Sequence, residues 1–319
     1  MMIGAGDLVV VVDEATTRSV RSSEPHCRHP VVLRIAGRTC AVHFDEASIA
    51  RRFALRYADL AAPGAVASDH AFAARDFRLG PIFWSRHGPV YRWPYGALAE
   101  EVVVFLADAV AMTAFFNERR DGVFSIHAAA VGIGDAAAAI VGETNAGKTT
   151  TTVACGRIGL ALYSDERCLL DADGLVHPFP RTINVRAAGS ALLMRDDVAG
   201  GDPVGELLCA RGAADWNDVR FNELFASWAH PQPAPLRAVF LLDGAGAKAR
   251  VRPATSAAAI NAVARWTFGA GRGLERFARL HAAFRGAACF HLELGSPDAS
   301  ARAVRDALLA AVDGLGCSA

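Results

Sequence analysis

Apolar residues dominate "VVLRIAGRTCAVHFD" (31–45), with polar Arg34, Arg38, Thr39 and His43 between them and a break at Gly37, which predicts two strands joined by a tight turn. A second stretch rich in apolar and aromatic residues, "PIFWSRHGPVYRWP" (81–94), predicts a hairpin around His87-Gly88, and the alanine-rich span 46–75 between them leaves room for a short helix. From 97 to 119 the period is that of a helix. It is apolar along one face and closed by Glu118-Arg119-Arg120-Asp121-Gly122. Two strand-like runs come next, "VFSIHAAAVGI" (123–133) and "AAAAIVG" (136–142), with Gly134-Asp135 suited to the turn between them. Alanine is a weak strand former, so Ile140-Val141-Gly142 decides the second run. A helix from Lys148 to about Arg157, a strand at 160–163 and a hairpin over 168–179 turning at Asp173-Gly174 succeed them. Residues 195–235 are polar and broken by Pro and Gly, as in a surface excursion. The chain then reads strand (237–244), helix (256–268), helix (274–285), strand (288–294) and helix (298–313).

This order predicts a β-rich accessory domain over 1–95 and an α/β domain over 96–319. Composition narrows the class. With 52% hydrophobic and 21% charged residues the chain is globular, and its 319 residues allow one large domain or two. Basic and acidic residues balance at 33 each, with no long Lys/Arg run, which argues against sequence-independent nucleic-acid binding. No segment reaches the roughly 18–20 apolar residues of a membrane span. The nearest, 102–116, contains Asp108 and comes after Glu100-Glu101. The amino terminus lacks the basic start and cleavage site of a signal peptide. Seven scattered cysteines, without C-x-x-C, fit free thiols in a reducing compartment. A cytoplasmic protein is therefore expected. His26-Cys27-Arg28-His29 has no second cluster to complete a metal shell and reads as a loop.

The chemistry begins at "GETNAGKTTTT" (142–152). Gly142-Glu143-Thr144-Asn145-Ala146-Gly147-Lys148-Thr149 matches G-x-x-x-x-G-K-[ST] in full, between an apolar strand and a helix. The two glycines permit a sharp bend that turns backbone N–H groups inward, and the helix start adds partial positive charge. Lys148 is placed to reach the terminal phosphates of a nucleotide, Thr149 to hold Mg²⁺ and Thr150 to continue the amide cradle. Asp165-Glu166 come soon afterwards, past one helix and one return strand. At a strand end both can face the phosphates, one towards Mg²⁺ and one towards an incoming hydroxyl. His127, on the strand before the loop strand, is by itself more often a satisfied core histidine than a catalytic group. The aromatic cluster at 84–95 and "DWNDVRFNELF" (215–225) read first as core aromatics and an amphipathic helix, ahead of acceptor contacts.

The run "SIHAAAVGIGDAAAAIVGETNAGKTTTTVACGRIGLALYSDERCLL" (125–170) resembles the catalytic domain of HPr kinase/phosphorylase. There too a histidine-bearing strand, a hairpin, a phosphate loop, a helix and a strand ending in paired acids occur in this order. The "DE" turn and the "PFPR" segment (178–181) are similar to HPr-kinase-related proteins of peptide-modifying clusters, including those of lasso peptides. The likeness covers about 95–190. It implies a phosphate-loop fold of the phosphoenolpyruvate-carboxykinase-like kind, with mixed sheets, and ATP-dependent transfer of a phosphoryl group to a serine hydroxyl of a peptide or protein. It implies Asp165 as general base, Glu166 as Mg²⁺ ligand, His127 near the transferred phosphate and Arg181 as a neutralising cation. The chain lacks the glycine-rich signature found after the acids in HPr kinases, and its second acid is Glu, which argues against HPr as acceptor. A kinase of a free small molecule and a nucleotide-driven switch are the competing readings; a homo-oligomer is compatible with each.

Overall fold

The computed structural model describes residues 29–62, 70–75, 82–85, 88–92, 100–118, 121–195, 216–225 and 228–316. Two compact units divide the chain, Met1–Asp121 and Gly122–Ala319. In the first, β1 (His29–Ile35) and β2 (Arg38–Phe44) form the predicted hairpin, and Ile35 pairs with Arg38. Both turn residues, Ala36 and Gly37, have positive φ (44° and 77°), as a two-residue hairpin loop requires. α1 (Ala47–Arg56) buries Ile49 and Phe53, the latter 5.1 Å from the Phe44 ring centroid. The span 46–75 holds more than that helix: its end, β3 (His70–Arg75), pairs in parallel with β2. The alanines of "HAFAAR" carry little strand propensity, so pairing with a neighbour decides the conformation. β4 (Ile82–Ser85) and β5 (Gly88–Arg92) pair antiparallel, completing a five-stranded sheet in chain order; His87 lies outside the described residues.

α2 (Glu100–Glu118) belongs to this first unit, which places the division later than the 95/96 read from sequence. Val104, Asp108, Met112 and Phe116 recur at helical spacing and are all buried, and the helix packs on α1, β3 and β4. Asp108, 2% exposed, accepts from the Tyr57 hydroxyl and meets Arg56 Nη1 at 3.5 Å.

The second unit carries β6 (Phe124–Ile126), β7 (Ala129–Ile133), β8 (Ala136–Val141), α3 (Lys148–Arg157), β9 (Ala161–Ser164), β10 (Cys168–Leu170) and β11 (Leu175–His177). After them come β12 (Ile183–Val185), α4 (Ala187–Arg195), β13 (Trp216–Val219), the short α5 (Phe221–Leu224), β14 (Ala234–Ala245) and β15 (Arg250–Pro253). α6 (Ser256–Ala264), β16 (Thr267–Phe268), α7 (Leu274–Phe284), β17 (Ala288–Leu294) and α8 (Pro297–Gly316) close the unit. Ten strands form one mixed sheet in the order β16-β6-β10-β11-β14-β8-β7-β9, with β17 beside β14 and β15 beyond it. β8, β14 and β17 are parallel neighbours. The molecule is thus a mixed α/β protein.

The alanines of β8 make this layering possible. Ala136, Ala138 and Ile140 face a cluster that includes Val153 and Ala154 of α3 and Val304 and Leu308 of α8. Ala137, Ala139 and Val141 face another with Ile260 and Val263 of α6 and Leu280 of α7. β9 ends the sheet. Its Leu162 and Tyr163 carbonyls are already taken, by the Trp228 indole N–H (3.2 Å) and the Phe179 N–H (2.8 Å).

Three further expectations from sequence give way to sheet pairing and packing. The run 123–133 is two strands broken at His127-Ala128, because β6 pairs with β10 and β16 while β7 pairs with β8 and β9. The helix at 256–268 starts at a Thr255 cap, whose hydroxyl accepts from the Ala258 N–H at 3.1 Å, but ends at Ala264; Thr267–Phe268 is drawn into the sheet. Of the excursion at 195–235, residues 196–215 lie outside the described ones, and the 216–225 segment packs inward: Val219, Phe221 and Leu224 join the α3–α8 cluster. Among the described residues no helix is long and apolar enough to cross a membrane.

Candidate phosphate-binding site

β8 delivers the chain to Gly142, and α3 starts at Lys148. The loop between them turns back on itself, with the Ala146 N–H on the Glu143 carbonyl at 3.1 Å. Asn145 and Gly147 have φ of 67° and 100°. Gly147 is doubly required, since a Cβ there would also lie 2.7 Å from Leu294 Cδ1. At Gly142 a Cβ would meet Ala146 Cβ and Leu242 Cβ at 3.1 Å, so the loop base is closely fitted. No side chain caps α3, and its first backbone bond is Thr151 N–H to Gly147 O. The N–H groups of Lys148, Thr149 and Thr150 therefore have no partner within the helix. The Thr150 hydroxyl is turned to α4, where a Cβ on Gly189 would lie 2.7 Å from it.

Lys148 is 7% exposed and folds over the loop, its Nζ donating to Gly142 O at 2.8 Å and Glu143 O at 3.1 Å. Glu143, exposed at the loop tip with Thr144 and Asn145, is ion-paired to Arg265. Burial holds the lysine ammonium below its ordinary range, opposed by the carboxylates of Glu166, Asp165 and Glu143.

The acids arrive by register. Ala130 pairs with Ser164, and Ile126 with Cys168, so both ladders share one alignment across the gap between them. Continued through the two bends, that alignment sets His127, Ala128 and Ala129 across from Arg167, Glu166 and Asp165. On its other side Ala129 pairs with Ile140 of the loop strand, while Ile126 pairs with Thr267 and the His127 N–H meets Trp266 O. The histidine bend and the acidic bend lie side by side, and the loop strand β8 pairs with β7 directly after the histidine bend.

Asp165 is 2% exposed, and its Oδ2 accepts the Thr149 hydroxyl at 3.1 Å. Its Oδ1 is buried with no hydrogen-bond partner. Burial first, and the like charge of Glu166 second, push its pKa up to about 7 against the pull of Thr149, Arg181 and Lys148. Glu166 instead reaches Arg181, Oε2 to Nη2 at 2.7 Å. Arg181 is itself buried at 4% exposure. His127 lies at the bend rather than on a strand, its N–H on Trp266 O at 3.0 Å and its ring 6.2 Å from the Trp266 ring. Burial, with the charges of Lys148 and Arg167, lowers its pKa to about 4, against the Glu166 carboxylate and a hydrogen bond with the Glu166 backbone. The imidazole is neutral at physiological pH.

The structure thus brings Lys148, Thr149, Asp165, Glu166, Arg181 and His127 to the same end of the sheet. Arg167 and Trp266 join them unforeseen. Arg167 comes directly after the acids in sequence but had no motif to mark it, and Trp266 arrives only because β16 pairs with β6. Among the described residues no group of three or more His, Cys, Asp or Glu side chains could hold a metal. Mg²⁺ on a nucleotide needs few protein ligands, because phosphate oxygens and water supply the others. The hydroxyl of Thr149 and the carboxylate of Glu166 are oxygen donors of the kind that hard cation takes. Glu166 would first have to leave Arg181. No protein-family model matches the chain, and no curated protein does.

Proposed function

We propose that the protein is an ATP-dependent kinase that phosphorylates a serine hydroxyl of a peptide or protein, and that 122–319 adopts the phosphoenolpyruvate-carboxykinase-like phosphate-loop fold. The observation that carries this reading is Asp165: one oxygen fixed by Thr149 of the phosphate loop, the other buried and unbonded. A general base works best with a pKa near the operating pH, and about 7 meets that condition.

The loop amides of 142–150 and Lys148 would hold the phosphates. Lys148 exchanges two carbonyl acceptors of its own loop for phosphate oxygens, trading dipoles for full charges. Thr149, which donates a hydrogen bond to Asp165 and keeps its proton, has lone pairs left for Mg²⁺, and Glu166 would be the second ligand; the ion would supply charge neutralisation on the phosphates. Asp165 takes the proton of the acceptor hydroxyl as that oxygen bonds to the terminal phosphorus. The bond to the departing nucleoside diphosphate breaks, and Arg181 adds positive charge beside the acids. His127, neutral, can donate or accept a hydrogen bond without adding charge.

The test is Asp165→Asn with Mg-ATP and a library of serine-containing peptides. The variant should keep ATP affinity and lose about 10²–10⁴-fold in transfer, read as phosphate mass on a peptide serine. Unchanged turnover would remove Asp165 from the mechanism. Phosphate found only on a free metabolite would move the reading to a small-molecule kinase, and ATP binding without any phosphorylated product would leave a nucleotide switch.

A further inference from the structure

Arg167 has no assigned part in that reaction. It stands opposite His127 in the alignment set by Ile126–Cys168 and Ala130–Ser164. Side chains alternate across a strand, and Ile126 and Cys168 both point into the α6–α7 cluster. His127, Asp165 and Arg167 therefore share the opposite face, on which α3 packs with its phosphate loop. Contacts agree with that placement. Asp165 meets Thr149 of α3, and the Arg167 charge is felt at the same imidazole as that of Lys148.

The guanidinium lies over the Phe268 ring, its Cζ 5.4 Å from the centroid. Its Nη1 is buried and has no hydrogen-bond partner. A buried cationic N–H without an acceptor is costly, and a bound anion is one way such a group is satisfied. Arg181, the cation expected from sequence, is already ion-paired through its Nη2 to Glu166. A planar fork resting on an aromatic face is preorganised for a tetrahedral anion, which supplies the missing acceptor.

We propose that Arg167 recognises the terminal phosphate of the bound nucleoside triphosphate, its buried Nη1 donating to an oxygen that a nucleoside diphosphate lacks. Arg167 is then what separates ATP from ADP at this site. The inference rests on the nucleotide reading of the phosphate loop, and on Arg167 lying across from His127.

The experiment measures Mg-ATP and Mg-ADP affinity by titration calorimetry for the wild type, Arg167→Gln and Arg167→Lys, with circular dichroism to monitor folding. The wild type should prefer ATP. Arg167→Gln should lose about 10- to 100-fold in ATP affinity, the scale of one charge-assisted hydrogen bond, while ADP affinity stays within about threefold. Arg167→Lys should fall between, since it keeps the charge and loses the fork. Equal losses for ATP and ADP, or none, overturn the proposal. If Arg167→Gln does not fold, Arg167→Lys decides by the same comparison. A wild type that binds neither nucleotide overturns the phosphate-loop reading and this inference together. A wild type that binds both, with an indifferent Arg167→Gln, overturns only the inference.

Discussion

A carboxyl group whose pKa rises from 3.8 to about 7 on folding makes the native state the tighter proton binder. The stabilisation from protonated Asp165 is complete below about pH 4 and disappears as pH climbs through about 7. His127 runs the other way. Its neutral form contributes fully above 6.5, and that contribution is lost as pH falls through about 4. Over the window between, the two largely offset; above about pH 7 the buried carboxylate remains as a net cost. Asp165→Asn should therefore stabilise nucleotide-free, metal-free protein at about pH 8, by at most about 4 kcal/mol, and barely change it near pH 4. Urea unfolding at the two pH values checks this; equal gains at both would show that Asp165 is not held against ionisation. At this scale the sequence disclosed what local spacing encodes, the loop and the paired acids. Arg167 stayed hidden because its meaning lies in two strand pairings that place it across from His127, some forty residues away in the chain.

Among the elements, α3 shows how far a local rule can mislead. Gly156 sits inside it, and helix propensity alone promises about 1 kcal/mol from Gly156→Ala. A Cβ there would lie 2.5 Å from Phe225 Cζ, so the ring must move out of its seat. The expected result is a loss of roughly 1–3 kcal/mol by chemical denaturation, the usual cost of overpacking. A gain would mean that the 216–225 segment yields without resistance. The hairpins β1–β2, β7–β8 and β10–β11 were legible because turn residues separate short apolar runs. β3, β15 and β16 were not. Each is short or poor in strand formers, and each is fixed by a partner that no sequence window contains.

At the level of the molecule, the phosphate loop and both acids belong to the second unit. Ligand linkage then gives a spatially resolved expectation. Mg-ATP at about a hundredfold excess over its Kd should add about 2.7 kcal/mol to that unit, and hydrogen exchange should slow across β8 and α3. Unaltered exchange in these two elements at saturating nucleotide would contradict binding at this loop. The α/β class was legible along the whole chain, since alternating strand and helix periods persist to the end. Periodicity shows that α2 buries a stripe but not which sheet receives it, so the unit to which that helix belongs is read from its contacts and not from the sequence. The closed border at β9 reaches further. An open outer strand is a template on which a second polypeptide can continue the ladder, the first step of many fibrous deposits. Here two successive carbonyls of that strand are occupied from within the same chain, so in concentrated solution the border nearest the chemistry offers newcomers little to copy.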